Sequence, residues 1–157
     1  MEVIINSPLG NIRIVESENR IIELSFSKKK TKQLPDNDFL KSASIQLNEY
    51  FSGKRKEFEL EMAPKGTDFQ QKVWDELLKI PYGVTISYLE LANRLGDPKT
   101  IRAAAGANGK NPIGIIIPCH RVIGSHGEMT GYAGGIEKKK ALLKLEGASV
   151  MNQLEMF

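Results

Sequence analysis

The sequence predicts a two-domain α/β (α+β) protein, with a small N-terminal strand–helix domain and a mainly helical, winged-helix-like C-terminal domain. Short segments rich in β-branched residues, separated by turns, occur within the first 26 positions. After residue 66, apolar residues recur at helical spacing and are preceded by capping residues. Between them, residues 54–66 are charged and turn-prone. We therefore place the domains at residues 1–63 and 64–157.

The N-terminal part predicts three strands and one helix. The strand candidates are Val3–Ile5, Asn11–Val15 and Ile21–Phe26, each followed by turn-forming residues or a basic run. A helix is indicated by apolar residues at helical spacing, namely Phe39, Ala43, Leu47, Tyr50 and Phe51, with Gly53 as its stop. No cluster of catalytic residue types occurs here, so we interpret this domain as structural.

The second part begins with helical elements. Thr67 and Gln70 form a capping-box pattern, and Ser87 and Glu90 form a second one that opens a short helix through Leu95. A turn at 96–98 leads into another helix that ends near Gly109. Two short helices joined by a tight glycine-containing turn are typical of a helix-turn-helix.

The second helix of this pair carries almost only alanine and glycine after Arg102. Small side chains allow a helix backbone to approach a partner closely, either a groove of DNA or another helix of the same protein. The residues alone leave both interpretations open. The net charge of +3 lies entirely after residue 63, which suits either phosphate attraction or an ordinary solvated surface.

Cys119 is the only cysteine in the 157 residues. It follows a strand candidate at 113–117 and precedes a glycine-rich loop at 124–135 and a final helix at 136–146. It is either a reactive group or a small buried hydrophobe; the adjacent His120 and Arg121 favour a thiolate. Neighbouring residues of a strand point to opposite faces, so activation by His120 requires a sharp turn or a bridging water. Glu146 is one of several carboxylates that could orient the imidazole.

The run from Pro118 to Val122 resembles the active-site signature of the O6-alkylguanine-DNA alkyltransferases, also called methylated-DNA–protein-cysteine methyltransferases. The resemblance covers about residues 64–148. Further matches occur in the same order and at compatible spacing: Phe69–Trp74, Ile86–Tyr88, Arg102–Gly106, Asn111–Pro112, Gly131–Gly135 and Leu145–Gly147.

This resemblance implies direct reversal of DNA damage by a single-use enzyme. Cys119 would take the alkyl group from guanine O6 and keep it as a thioether. His120 would act as a base through a water, with Glu146 holding its imidazole. Asn111 would brace the turn, and Tyr88 would give a proton or a hydrogen bond to guanine N3.

The resemblance also implies that the damaged base is flipped out of the duplex. Arg102 would fill the vacated stack while its helix lies in the minor groove. The implied DNA contacts are Arg102, Ala103, Ala104, Gly106, Ala107 and Arg121. The implied base pocket is formed by Val122, Tyr132, Ala133 and Gly134.

The expected partner is double-stranded DNA containing O6-alkylguanine, with O4-alkylthymine as a further candidate substrate. We expect no cofactor, and no zinc, because the sole cysteine is Cys119 and both histidines, His120 and His126, lie outside the N-terminal part. Gly114, where relatives often carry Ser or Pro, puts the substrate range in question. We also expect a monomer.

One cysteine and the absence of a signal-peptide pattern at residues 1–8 predict the cytoplasm. No apolar run approaches the ~20 residues of a membrane span, which predicts no membrane partner. A non-repairing sensor of alkylated DNA or a helix-turn-helix regulator is the alternative function, and a cysteine hydrolase is a third.

Overall fold

The computed structural model describes residues 1–32, 36–129 and 131–148 and divides into two compact units. Of the described residues, the first unit comprises those within Met1–Lys65 together with Pro112–Gly114, and the second comprises Gly66–Asn111 and those that follow Gly114. No sequence signal had indicated that residues 112–114 join the first unit. No helix in the described ranges is long and apolar enough to cross a membrane.

The first unit contains an antiparallel sheet in the order β1–β2–β3, formed by Glu2–Ile5, Asn11–Ser17 and Arg20–Ser27. Glu18 and Asn19 connect β2 to β3 with positive φ at both positions, as a tight hairpin turn requires. The sheet also gains an isolated bridge between Leu24 and Ile113.

Helix α1 (Asp38–Phe51) completes the first unit. Asn37 caps it, because its side-chain oxygen accepts a hydrogen bond from the Leu40 backbone N–H. The apolar residues of the sheet and of α1 are buried, including Ile12, Ile14, Ile21, Leu24, Leu40, Leu47 and Tyr50. The predicted strands and helix are therefore present, and they supply a hydrophobic core of their own.

The second unit opens with α2 (Asp68–Leu77), which has the predicted capping box in full: Thr67 and Gln70 bond reciprocally. Val73, Trp74 and Leu77 form its buried face. A Cβ at Gly66 would collide with the Trp74 ring, so only glycine fits at that position.

The helix-turn-helix consists of α3 (Tyr88–Arg94), a short 3-10 turn at Pro98–Thr100 and α4 (Ile101–Gly109). Ser87 caps α3 by accepting from the Glu90 backbone N–H. The last helix, α5, spans Ile136–Leu145, and Glu146 is its C-cap.

Two short parallel strands lie beside these helices, β4 (Ile86–Ser87) and β5 (Val122–Ile123). The predicted strand at 113–117 was wrong, because only Ile113 forms a bridge and the residues after it form turns. Ile115 has φ of +69°, which is incompatible with an extended strand. The chain therefore approaches Cys119 through a strained turn rather than along a strand.

Candidate active site and nucleic-acid interface

Cys119 begins a 3-10 turn, Cys119–Arg121, that is placed between Pro118 and strand β5. The Cys119 N–H bonds to the Ile117 carbonyl at 2.8 Å and the Arg121 N–H to the Pro118 carbonyl at 3.0 Å. The backbone therefore turns sharply at Cys119 and His120, which is one of the two arrangements that their adjacency allows. Because β5 follows the turn and pairs with β4, which runs directly into α3, the strand pair brings Tyr88 towards the cysteine turn.

Two asparagines hold this turn, Asn108 near the end of α4 and Asn111 just after the helix. The Asn111 Nδ2 donates to the Ile117 carbonyl at 2.8 Å, and its side chain also hydrogen-bonds to the Cys119 sulfur. Asn108, which is 1% exposed, donates from Nδ2 to the Cys119 carbonyl at 3.3 Å. The predicted bracing role of Asn111 thus has a geometric basis, and Asn108 is an additional brace that we had not predicted.

The Cys119 thiol is buried, with 7% of the residue exposed. Burial raises its pKa, while the hydrogen bond from Asn111 and the positive charge of Lys139 act in the opposite direction. The thiol is therefore the resting form, and a base is needed to generate the nucleophilic thiolate.

A single buried carboxylate, that of Glu146, organises the groups behind the turn. Its Oε2 accepts from His120 Nε2 at 2.8 Å and from Arg121 Nη2 at 3.0 Å. Its Oε1 accepts from Arg121 Nε at 2.8 Å and from the Gly83 N–H at 3.2 Å. Burial would raise the pKa of Glu146, but the hydrogen bonds from His120 and Arg121 outweigh it, and the pKa lies well below its usual range.

The His120 ring is fully buried, and burial lowers its pKa despite the opposing effect of Glu146. The imidazole is therefore neutral at pH 7. Since an ionised carboxylate only accepts hydrogen bonds, Nε2 carries the proton and Nδ1 is the basic nitrogen. Nδ1 has no hydrogen-bond partner among the described residues, so it is the atom able to take a proton.

The predicted DNA contact of Arg121 is corrected by this network. Its guanidinium is buried, forms a bidentate pair with Glu146 and donates from Nη1 to the Ile80 carbonyl at 2.7 Å. It also lies 5.9 Å from the centre of the Tyr82 ring. A side chain committed to these contacts is not available to DNA, and we assign it to the support of Glu146.

Tyr88 is half-buried at the start of α3, and a Cβ at Gly131 would lie 3.1 Å from its hydroxyl oxygen. The loop that begins at Gly131 therefore packs against the Tyr88 hydroxyl. In that loop Tyr132 and Gly134 are half-buried and Ala133 is exposed, whereas Val122 is buried. Burial raises the pKa of Tyr132, and a negative charge on Cys119, once the thiolate forms, would raise it further.

Helix α4 has two faces, and they divide the predicted DNA contacts. Arg102, Ala103 and Gly106 are exposed, whereas Ala104 and Ala107 are buried. The Ala107 carbonyl accepts a hydrogen bond from Trp74 Nε1 at 3.0 Å. The small residues on the buried face therefore serve close packing inside the protein, and the expected DNA contacts of Ala104 and Ala107 are corrected to internal packing.

Lys139, in the basic run 138–140, is a buried residue near the cysteine turn that we did not predict. It is 0% exposed. Helical periodicity was the available signal, because positions 139, 142, 143 and 146 follow the i, i+3, i+4, i+7 pattern of a buried stripe. The other three members of that stripe, Leu142, Leu143 and Glu146, are also buried.

Two family profiles match the chain in succession. Residues 2–64 match "6-O-methylguanine DNA methyltransferase, ribonuclease-like domain" and residues 68–148 match "6-O-methylguanine DNA methyltransferase, DNA binding domain". Among similar proteins, a methylated-DNA–protein-cysteine methyltransferase of Methanosarcina acetivorans is 47% identical, covering 92% of this chain and 97% of the relative. A relative of the same name from Mycobacterium bovis is 46% identical, covering 98% and 96% respectively.

Solved structures give the same picture. The crystal structure of the Mycobacterium tuberculosis O6-methylguanine methyltransferase superposes with a TM-score of 0.83 at 46% identity, covering 92% of this chain and 90% of that one. A structure of the M. tuberculosis protein in complex with DNA gives a TM-score of 0.84 at 44% identity, with coverage of 96% and 97%.

Proposed function

Because the chain belongs to the 6-O-methylguanine DNA methyltransferase family, we propose that it repairs alkylated double-stranded DNA as a methylated-DNA–protein-cysteine methyltransferase. It transfers a methyl or larger alkyl group from guanine O6 to Cys119 and acts once per molecule, as a monomer in the cytoplasm. The observation that carries this proposal is the buried Cys119 turn, backed by a neutral His120 and the Glu146 carboxylate.

The first step is formation of the thiolate. The thiol proton passes through a bridging water to His120 Nδ1, the basic nitrogen of a ring whose Nε2–H is held by Glu146. The resulting imidazolium lies against the carboxylate, which offsets its charge in a low-dielectric site. Asn111 keeps the sulfur in place through its hydrogen bond.

The second step is an in-line displacement at the alkyl carbon. The S–C bond forms as the C–O6 bond breaks, and the electron pair of that bond passes to guanine. Tyr88 offsets the developing negative charge by donating its phenolic proton to guanine N3. Because the thioether product is stable, Cys119 is consumed and each molecule reacts once.

DNA recognition is assigned to the exposed face of α4. Arg102, Ala103 and Gly106 share this face, and two small residues beside one long cation suit a helix lying in the narrow minor groove. Arg102 occupies the stack from which the damaged base has been flipped. The flipped base then lies against Val122 and the segment 132–134, close to Cys119.

Intact-mass analysis after incubation with an O6-methylguanine duplex tests the proposal. We expect a mass gain of one methyl group, located on Cys119 by peptide mapping, and release of one equivalent of repaired DNA. A parallel duplex carrying O4-methylthymine determines whether that base is also a substrate. Turnover beyond one equivalent would contradict a single-use enzyme, and lesion-selective binding with unmodified Cys119 would support the sensor alternative.

Arg102→Ala should slow transfer from duplex DNA, because flipping a base costs a few kcal/mol that the arginine helps to offset. We expect a reduction of about 10- to 1,000-fold in the single-turnover rate. A free O6-alkylguanine base needs no flipping, so both proteins should react with it at equal rates. Arg20→Ala, which removes one exposed positive charge from the first unit, is the matched control. Equal losses on duplex and free base would contradict the assignment.

A further inference from the structure

Asn108 is a buried asparagine of α4 whose side-chain amide contacts the cysteine turn through its nitrogen. The residue is 1% exposed, and its Nδ2 donates to the Cys119 carbonyl at 3.3 Å. Because a carbonyl oxygen accepts hydrogen bonds and never donates them, this contact determines which end of the amide is Nδ2 and which is Oδ1. The direction in which the acceptor end of Asn108 points is therefore fixed by the cysteine turn itself.

The acceptor end, Asn108 Oδ1, is buried and has no hydrogen-bond partner among the described residues. Two other side-chain atoms in the described ranges share this property: Ser44 Oγ in the first unit, and His120 Nδ1, which receives the thiol proton in the proposed reaction. An unpaired buried acceptor is costly, so its presence in a folded protein calls for an explanation. A hydrogen-bond donor that arrives with the substrate would provide one.

Asn108 is close to both groups that contact the damaged base in the proposed reaction. One of them is Cys119, whose carbonyl the asparagine contacts directly. The other is Tyr88, which the end of α4 approaches through the loop residue Gly131. A Cβ on Gly109 would lie 3.7 Å from the Gly131 carbonyl oxygen, and a Cβ on Gly131 would lie 3.1 Å from the Tyr88 hydroxyl oxygen. The end of α4 is thus adjacent to the cysteine turn and to the residue that packs against the Tyr88 hydroxyl.

The edge of the guanine ring carries a donor that suits this acceptor. Around the six-membered ring from O6, the next groups are N1, the 2-amino group and N3. In the proposed reaction the O6-alkyl group lies at Cys119 and N3 lies at Tyr88, so the 2-amino group lies between these two contacts. The 2-amino group of guanine is a hydrogen-bond donor, whereas thymine has a carbonyl oxygen, an acceptor, at the corresponding position. A side-chain acceptor at this place would therefore distinguish the two bases.

We propose that Asn108 is a specificity-determining residue whose Oδ1 accepts a hydrogen bond from the 2-amino group of the flipped guanine. This inference rests on the proposed function. The contact between Nδ2 and the Cys119 carbonyl ties the acceptor to the nucleophile, so that a base held by its amino group has its O6-alkyl group close to the sulfur. With O4-alkylthymine, two acceptor oxygens would face each other, which disfavours that base. Since Oδ1 is buried, the glycine-containing segment 131–135 must move aside as the base enters.

Two duplexes that differ by one amino group test this proposal. One carries O6-methylguanine and the other carries O6-methylhypoxanthine, which lacks the 2-amino group. We expect the ratio of their single-turnover transfer rates to be about 10-fold smaller in Asn108→Leu than in the wild type, the order expected for one buried hydrogen bond. Loss of the Nδ2 contact slows both duplexes equally and cancels in this ratio, as does the cost of flipping each base. An unchanged ratio would overturn the proposal.

Two further variants sharpen the comparison. Asn108→Asp keeps an acceptor oxygen at the same position, so it should retain most of the wild-type ratio even if both transfers are slower. Asn48→Leu makes the same chemical change at an exposed position of α1, and it should match the wild type on both duplexes. Asn108→Leu should also lower the ratio of the O6-methylguanine rate to the O4-methylthymine rate, because the opposed acceptor has been removed.

A crystal structure of Cys119→Ser bound to the O6-methylguanine duplex provides a measurement that does not depend on the folding of Asn108→Leu. The serine removes the reactive thiol, so the damaged base stays intact in the complex. We expect Asn108 Oδ1 to lie within about 3.2 Å of guanine N2, the distance of a hydrogen bond. If Oδ1 contacts an ordered water instead and N2 is bound elsewhere, the proposal is wrong.

The outcomes separate this proposal from the proposed function. If wild-type protein gains no methyl group from the O6-methylguanine duplex, the proposed function fails, and the role of Asn108 fails with it. If it gains the methyl group but a folded Asn108→Leu keeps the wild-type ratio between the two duplexes, only the role of Asn108 is refuted.

Discussion

Cys119→Ala should show no methyl gain at any protein concentration while still binding the O6-methylguanine duplex. The thiol is the only acceptor in the proposed reaction, and its neighbours are fixed by other bonds: the backbone of the turn and the side chain of Asn111 through the Ile117 carbonyl. Removing one buried sulfur should cost about 1 kcal/mol of stability. Electrophoretic mobility shift and intact mass on the same sample check both statements.

Cys119→Ser is the matched control, because it keeps the size of the side chain and a hydrogen-bonding group but is a far weaker nucleophile at pH 7. It should bind DNA like the wild type and gain no methyl group within the lifetime of the wild-type reaction. A methyl group found on another residue of Cys119→Ala would refute the assignment of the acceptor.

Glu146→Gln should both destabilise the fold and abolish rapid transfer. The neutral amide leaves the buried Arg121 without its counter-charge, and the breaking of a buried pair typically costs about 3–5 kcal/mol. It also removes the carboxylate that fixes the His120 tautomer. Urea unfolding and single-turnover kinetics measure the two effects separately. Glu137→Gln, an exposed change on the same helix, should alter neither.

The pH dependence of stability gives an independent check on Glu146. Its folded-state pKa is depressed, so its stabilising contribution is present above the unfolded pKa of about 4.3 and is lost as pH falls below it. Wild-type stability should therefore fall more steeply than that of Glu146→Gln on acidification through this range. Arg121→Met combined with Glu146→Gln should recover part of the lost stability, since the uncompensated charge is gone. Parallel acid profiles or additive losses would contradict the network.

Local sequence signals accounted for most of the secondary structure. The caps at Thr67 and Ser87 depend on residues within one turn, so they could be identified from the sequence. The turn before Cys119 could not be identified from the sequence, because a run of β-branched residues favours a strand. The positive φ of Ile115 depends on tertiary contacts.

The candidate site was predictable in its residue types and less so in their orientation. We predicted Arg121 to be a DNA contact because the sequence gives the charge of a side chain but not where the side chain points. Its partners, Ile80 and Glu146, are distant along the chain and could not be identified from local patterns. The buried residues of α4 lie at positions 104, 107 and 108, which have helical spacing. Because nearly all side chains of this helix are small, the sequence does not show which face is buried. For Lys139 the helical periodicity predicted a buried position, but a lysine is usually exposed, and we therefore did not expect it to be buried.

The three-residue segment Pro112–Gly114 limits how this protein can be dissected. It lies between Asn111 and the turn that leads to Cys119, yet its Pro112 carbonyl and Gly114 N–H are both hydrogen-bonded to the backbone of Leu24 in the first sheet. A truncation that begins at Gly66 would keep Ile113, a fully buried residue, and remove the strand that pairs with it. The second unit is therefore compact in space, but the stretch of sequence that encodes it also contains three residues of the first unit. Domain exchange between relatives would have to carry two non-adjacent stretches of the gene together.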